Sequence, residues 1–164
     1  MEHELSVAFL NAAGAFENPM TAATWWGAVR ENALPLAGEA KPRFDAAFTA
    51  CLRDLREASS RLISGRASEA DIALLTRALA NATMQMQGDP PRLVHVAGDG
   101  AGTILFPLAY AVAALLGSDR RRLRTCANAE CSAYFWDRTK NGSRRWCRLS
   151  CMERARAPRR RLQR

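Results

Sequence analysis

The sequence Cys126-Ala-Asn-Ala-Glu-Cys131, followed further on by Cys147-Arg-Leu-Ser-Cys151, decides how the end of this 164-residue chain folds. Four residues separate the first two cysteines, fifteen the middle two and three the last two. Two close pairs joined by such a spacer have the general form of a four-cysteine zinc site. Because four cysteines leave no open coordination position, the pattern indicates one structural zinc ion per chain. A redox thiol cluster and an accidental grouping of cysteines are the alternatives.

The segment around these cysteines predicts a small ββα-like finger. Tyr134–Trp136 is expected to form a strand, Asn141-Gly142 a turn, and 144–146 the returning strand. A short helix should begin near Cys151 and end at Pro158, since proline interrupts helices. So short a segment buries too little apolar surface to fold without the metal.

Charge divides the chain in the same place. Residues 120–164 hold 15 Lys and Arg against 3 Asp and Glu, a net charge of +12. Residues 1–119 hold 9 against 13, a net charge of −4. We therefore predict two domains, 1–119 and 120–164, the second binding a polyanion such as nucleic acid. A solvated basic tail is the alternative, and Trp136 and Trp146 are expected to pack in the finger rather than stack on bases.

Three stretches of the finger carry a family resemblance: Cys126-Ala-Asn-x-x-Cys131, Tyr134-Phe135-x-Asp137, and Asn141-Gly142-Ser143-Arg144-Arg145-Trp146-Cys147. Together they resemble the CGNR-type zinc finger of bacterial regulators. In that family an ABATE domain precedes the finger, and the proteins are described as stress-induced transcription regulators. Residues 1–119 are similar to that domain through Ala8-Phe9-Leu10-Asn11 and a tryptophan in the second predicted helix. The resemblance implies that Cys126, Cys131, Cys147 and Cys151 bind one zinc ion and that the finger contacts DNA.

The chain departs from the family where the family takes its name. Three residues, not four, separate the last two cysteines, and Met152-Glu153-Arg154 follows Cys151 in place of Gly-Asn-Arg. Glu153 thereby places a carboxylate on the surface expected to face phosphate. The residues predicted to contact nucleic acid are Arg144, Arg145, Arg148, Arg154 and Arg156.

The first 119 residues predict a mainly helical body with a small β-hairpin. Apolar spacing indicates helices near Leu5, after an N-cap at Thr21, over 43–64 up to Gly65, from a capping box at Ser68, and over 103–116 as the central buried helix. Residues 83–87 and 93–96 predict the two strands of the hairpin, joined by a wide loop. Residues 34–38 are expected to form a loop.

Several residues of the body are candidates for a site. Trp25 and Trp26 point about 100° apart on one helix and are expected to line a ligand pocket, which is the only hint of a sensor. His95 and Cys51 are expected to be packed side chains. The glycines before Thr103 predict a loop and N-cap, because they lack the lysine and spacing of a phosphate loop.

The sequence thus favours a zinc-stabilised DNA-binding transcription regulator that binds duplex DNA and whose body senses a small-molecule or protein effector. The alternative is a zinc-stapled protein- or RNA-interaction protein without operator recognition. We expect no enzyme, since no catalytic constellation is found. An acidic start, Met1-Glu2-His3-Glu4, and the lack of a long apolar run predict a cytoplasmic protein that does not cross a membrane. A homodimer is an open alternative.

Overall fold

The computed structural model describes residues 3–33, 36–37, 42–87 and 89–161. The chain divides into two compact units, Met1–Leu116 and Gly117–Arg164. The predicted fold class is confirmed: a mostly helical unit with a β-hairpin is followed by a unit with short strands and four clustered cysteines. The predicted boundary, between 119 and 120, lies three residues after this division.

Among the described residues, five α-helices belong to the first unit, the last of them ending one residue beyond it. They are α1 (Glu4–Leu10), α2 (Pro19–Val29), α3 (Ala46–Ile63), α4 (Glu69–Leu79) and α5 (Gly102–Gly117), with short 3-10 helices at Ala13–Phe16 and Arg30–Asn32. The predicted central helix is α5, in which Ile104, Leu108 and Val112 are fully buried. They share one apolar core with Leu52 and Leu55 of α3. Burial on nearly every side explains why the sequence of α5 is apolar all round.

Capping residues set where the helices begin. The predicted N-cap Thr21 is wrong: α2 begins after Asn18, whose Oδ1 accepts from the Thr21 backbone N–H at 3.0 Å. Thr21 is the third residue of that helix, and Pro19 fills the first position, where proline's missing N–H costs nothing. The capping box predicted at Ser68 is confirmed, with Asp71 as its second member.

The long helix α3 matches its prediction closely. It starts three residues later than predicted, because Asp45 accepts from the Phe48 N–H at 2.8 Å and so serves as N-cap. It ends before Gly65, which adopts φ +71°. The Arg66 N–H then donates to the Arg61 carbonyl at 2.9 Å, a closing bond that requires this left-handed residue.

A three-stranded sheet completes the first unit. The predicted hairpin is confirmed, as β2 (Ala82–Gln87) pairs antiparallel with β3 (Arg92–Ala97), Ala82 opposite Ala97. A further strand, β1 (Leu36–Ala37), runs parallel to β3 on its other side. It lies in the segment predicted as a loop, whose remaining residues, 34, 35 and 38, are outside the described residues. Two residues are too few for a strand period to show in the sequence.

The second unit contains a 3-10 helix (Arg120–Arg122), strands β4 (Leu123–Thr125) and β5 (Tyr134–Trp136), and helix α6 (Leu149–Arg161). The prediction of β5 is confirmed, but its partner is β4 and not the segment 144–146, which forms no strand. The turn at Asn141-Gly142 is present, with Gly142 at φ +59°. Pro158 does not end α6, which continues to Arg161, because the φ of about −65° that proline fixes is also a helical value.

Candidate metal centre

Two tight turns and one helix bring the four predicted zinc ligands together. Cys126 follows β4, and its N–H donates to the Ala133 carbonyl at 2.9 Å. The Cys131 N–H donates to the Asn128 carbonyl at 2.8 Å, which folds the first pair back on itself. Cys151 lies in the first turn of α6, where its N–H donates to the Arg148 carbonyl at 3.2 Å. Local backbone bonds therefore position each pair.

The sulfur positions fit one zinc ion. All four Sγ atoms lie within 4.8 Å of one another. Cys131 Sγ is 3.9 Å from Cys147 Sγ, which is 3.6 Å from Cys151 Sγ. Four sulfurs around one zinc at about 2.3 Å stand about 3.8 Å apart in a tetrahedron, so these separations match. All five cysteines of the chain are free of disulfides.

The four-cysteine cluster is partly buried, and positively charged arginines lie beside it. Cys126 and Cys151 are buried, whereas Cys131 and Cys147 are half-buried. Burial by itself would raise the pKa of the Cys151 thiol, but hydrogen bonds from Arg148, from the Cys147 and Cys131 thiols and from Arg154 lower that pKa to about 6. Arg154 Nη2 lies 3.4 Å from Cys151 Sγ. Four thiolates around Zn²⁺ carry a net charge of −2, which these two arginines offset.

A buried carboxylate holds the loop between β5 and Cys147; the sequence motif Tyr134-Phe135-x-Asp137 contains this residue, but no role was predicted for it. Asp137 is completely buried. It accepts hydrogen bonds from the Thr139 N–H at 2.9 Å, the Thr139 hydroxyl at 2.6 Å and the Arg144 N–H at 2.8 Å. Burial would raise the pKa of Asp137, but these bonds and the charge of Arg124 hold it below its usual range. An Asp two residues before a Thr is the sequence signal for such a turn.

Three arginines of the basic segment support the finger's own backbone. The Arg122 guanidinium donates to the carbonyls of Asp137 and Thr139, at 3.0 Å and 2.8 Å. Arg124 donates to the Gly142 carbonyl at 2.5 Å. Arg144 donates to the carbonyl of Trp146 at 2.9 Å and to that of Cys147, and its guanidinium lies over the Phe135 ring. Part of the positive charge therefore stabilises the fold.

All five arginines predicted to contact nucleic acid are exposed. Arg145 and Arg156 lie over the indole of Trp146, with Cζ at 5.2 Å and 5.6 Å from the ring centroid. Trp146 is half-buried, and its Nε1 is buried with no hydrogen-bond partner among the described residues. Two guanidinium groups on one indole favour the packing interpretation of this tryptophan.

The candidates of the first unit are dispersed. Trp25 and Trp26 are both half-buried, and Trp25 packs edge-on against Phe16 with ring centroids 5.1 Å apart. A ligand pocket beside them stays a prediction. His95 is packed as expected, its ring 5.2 Å from that of Phe106.

Two further expectations for this unit are met. Asp99 Oδ1 accepts from the Gly102 N–H at 2.7 Å, as a loop and N-cap requires. Cys51 packs against the core, and burial raises the pKa of its thiol.

The comparison with known families agrees with this geometry. The family model described as CGNR zinc finger matches residues 122–164. No curated protein matches the chain. Within the described residues, no helix is long and apolar enough to pass through a bilayer. The second unit is thus similar to a CGNR zinc finger, and its four cysteines are consistent with one structural zinc ion.

Proposed function

We propose that this chain is a DNA-binding transcription regulator whose zinc finger binds duplex DNA. Its first unit would be an ABATE-like domain that senses a small-molecule or protein effector. The family match supports a nucleic-acid or protein-binding role for the finger. A binding role, without catalysis, in the cytoplasm is part of this proposal, and the homodimer stays a prediction.

The observation that carries the proposal is a group of exposed arginines held in place by the finger. Arg148 and Arg154 are fixed beside Cys151, and Arg145 and Arg156 are fixed over Trp146. Ordering these long side chains in advance lowers the entropy lost when they meet phosphates. Phosphate contacts of this kind supply most of the affinity of proteins for DNA.

Within the alternative, a protein- or RNA-interaction module, one observation favours the protein-interaction function, because it counts against binding of any phosphate backbone. Glu153 is exposed on α6 in the middle of the arginines, where its carboxylate would repel a phosphate. A direct comparison of duplex DNA with duplex RNA separates DNA binding from RNA binding, and failure to bind either duplex would favour protein interaction.

Fluorescence anisotropy of labelled duplexes across a salt series tests the proposal. We expect zinc-loaded protein to bind mixed-sequence duplex DNA, with log affinity falling against log salt by about 0.9 for each phosphate contacted. Chelated protein, in which the arginines lose their support, should bind at least about tenfold more weakly. Affinity that is insensitive to salt, or that is higher for RNA of the same sequence, would favour the alternative.

A further inference from the structure

Helix α6 has one buried side and one exposed side. Successive residues of a helix are about 100° apart. Cys151 is buried, and Met152 and Ala155 are half-buried, so these three mark the side that faces the finger. Over 149–156, the part of α6 whose side chains are described, the opposite side spans about 160° and consists of exposed residues. In order around the helix axis they are Arg156, Leu149, Glu153, Ser150 and Arg154.

Charged, apolar and polar side chains occupy different parts of this exposed face. Arg156 and Arg154 form its two margins. Leu149 lies about 20° inside Arg156 and about two turns before it, Glu153 is near the centre, and Ser150 lies between Glu153 and Arg154. Leu149 is 65% exposed, and no other large hydrophobic side chain is strongly exposed among the described residues of the second unit. Glu153 makes no ion pair with another described residue. Leu149 and Glu153 gain nothing from contact with a phosphate, and they therefore lie between two arginines that do, Arg156 and Arg154.

This arrangement matches the cross-section of the DNA major groove. The groove is about 12 Å wide and admits an α-helix of about that diameter, with phosphates at both rims and base edges on the floor. Cations at the margins of a helix meet the rims, and its central residues meet the base edges. In the floor, the thymine methyl group is the apolar feature and the cytosine amino group is a donor that a carboxylate accepts.

We propose that α6 enters the major groove with this face, and that Leu149 contacts a thymine methyl group while Glu153 accepts a hydrogen bond from a cytosine amino group. This inference rests on the proposed function. It specifies which groove of the DNA α6 enters, which side chains contact base edges and which bases they contact. Glu153, which counts against simple phosphate binding, becomes the residue that selects the sequence. Arg154 and Arg156 position the helix on the two phosphate rims.

Selection of binding sites from random duplexes tests the reading by Glu153. Wild-type protein should enrich sites with cytosine at one position, and we expect Glu153→Gln to shift that position to adenine, because glutamine pairs with the adenine edge. Discrimination against the other bases should be about fivefold or more. The matched control is Glu130→Gln, which removes an exposed carboxylate from the same finger but away from α6, and it should leave the selected site unchanged.

Replacing thymine by uracil tests the contact of Leu149 without changing the protein. Removing the methyl group from the thymine that Leu149 contacts should weaken wild-type binding about fourfold, the value of one buried methylene-sized group. Leu149→Ala should bind the thymine site more weakly by a similar factor and should not distinguish thymine from uracil. Glu153→Gln and Leu149→Ala both alter exposed side chains, and a zinc assay checks that each variant still binds its metal.

The outcomes separate this inference from the function it rests on. If wild-type protein fails to bind duplex DNA, the proposed function is wrong. If it binds but selects no base preference, or if uracil substitution has no effect at any thymine of the selected site, the finger binds DNA and the assignment of α6 is overturned. A site that keeps its cytosine with Glu153→Gln overturns the role of Glu153 alone.

Discussion

The carboxylate of Asp137 accepts a hydrogen bond from the backbone N–H of Arg144 at 2.8 Å, seven residues along the chain. This bond closes the loop that leads from β5 to Cys147. Arg144 then donates from its guanidinium to the carbonyls of Trp146 and Cys147, so a single buried acid and one arginine hold the third ligand in place. The metal centre thus depends on groups that do not touch the metal.

Asp137→Asn should weaken zinc binding although Asp137 is not a ligand. An amide keeps one acceptor oxygen but turns an NH₂ group toward donors, of which Asp137 receives three in total. Competition with a chromogenic chelator should show an affinity lower by about 10- to 100-fold. Glu130→Gln, an acid-to-amide change at an exposed residue of the same unit, is the control. Equal affinity of both variants would mean that the loop needs no buried carboxylate.

Cys151→Ser should abolish stoichiometric zinc binding, whereas Cys51→Ser should not. Cys151 belongs to the four-sulfur cluster, and Cys51 packs against the core of the first unit. Elemental analysis of purified protein should give about one zinc per chain for wild type and for Cys51→Ser. A disulfide among the four clustered cysteines in metal-replete protein would contradict the assignment.

Chelation should unfold the second unit and leave the first one folded. The apolar core built from α3 and α5 contains no residue of the finger, whereas the finger is held by its metal. Far-UV circular dichroism should therefore keep most of its helical signal after chelation, while fluorescence of Trp136 and Trp146 changes. Loss of the whole helical signal in one step would show that the finger is integral to the body.

Sequence patterns predicted those parts of the molecule in which local chemistry decides the structure. The four cysteines, the Ser68 capping box and the end of α3 at Gly65 are each set by residues a few positions apart. The strand partner of β5 was missed because β4 and the segment 144–146 are both three residues long and lie at similar distances along the chain, so no local period distinguishes them. The structural roles of Arg124 and Arg144 were missed because charge counts do not show which arginines face backbone carbonyls.

Asp71→Asn should remove stability that is present at neutral pH and absent in acid. Hydrogen bonds from Arg61, whose Nη2 lies 2.7 Å from Asp71 Oδ1, and from the Ser68 N–H hold the pKa of Asp71 well below its ordinary value of 3.8. Because the pKa of Asp71 is lower in the folded than in the unfolded protein, its ionisation stabilises the folded state at pH values above the unfolded-state pKa. This stabilisation is lost as the pH falls from the unfolded-state pKa toward the folded-state pKa.

Urea unfolding of the helical signal between pH 2 and pH 7 measures this effect. The variant should be less stable than wild type above about pH 4, and the two curves should converge as the pH falls below it. Asp54→Asn, at an exposed position of α3, should keep the wild-type pH dependence. A constant difference across the whole range would show that ionisation of Asp71 contributes nothing.

Arg144 and Arg145 are neighbours, yet replacing each by alanine should affect DNA binding differently. The guanidinium of Arg144 is engaged by two backbone carbonyls of the finger, while that of Arg145 rests on the exposed side of the finger over Trp146. Arg145→Ala should weaken binding to all duplex sequences alike and flatten the salt slope by about 0.9. Arg144→Ala should lower zinc affinity and leave the slope unchanged when zinc is saturating.

Arg53→Ala, which removes an exposed arginine of α3, controls for net charge. Equal losses of slope for Arg144→Ala and Arg145→Ala would show that both side chains meet phosphate, and unchanged binding in both would favour the protein-interaction function.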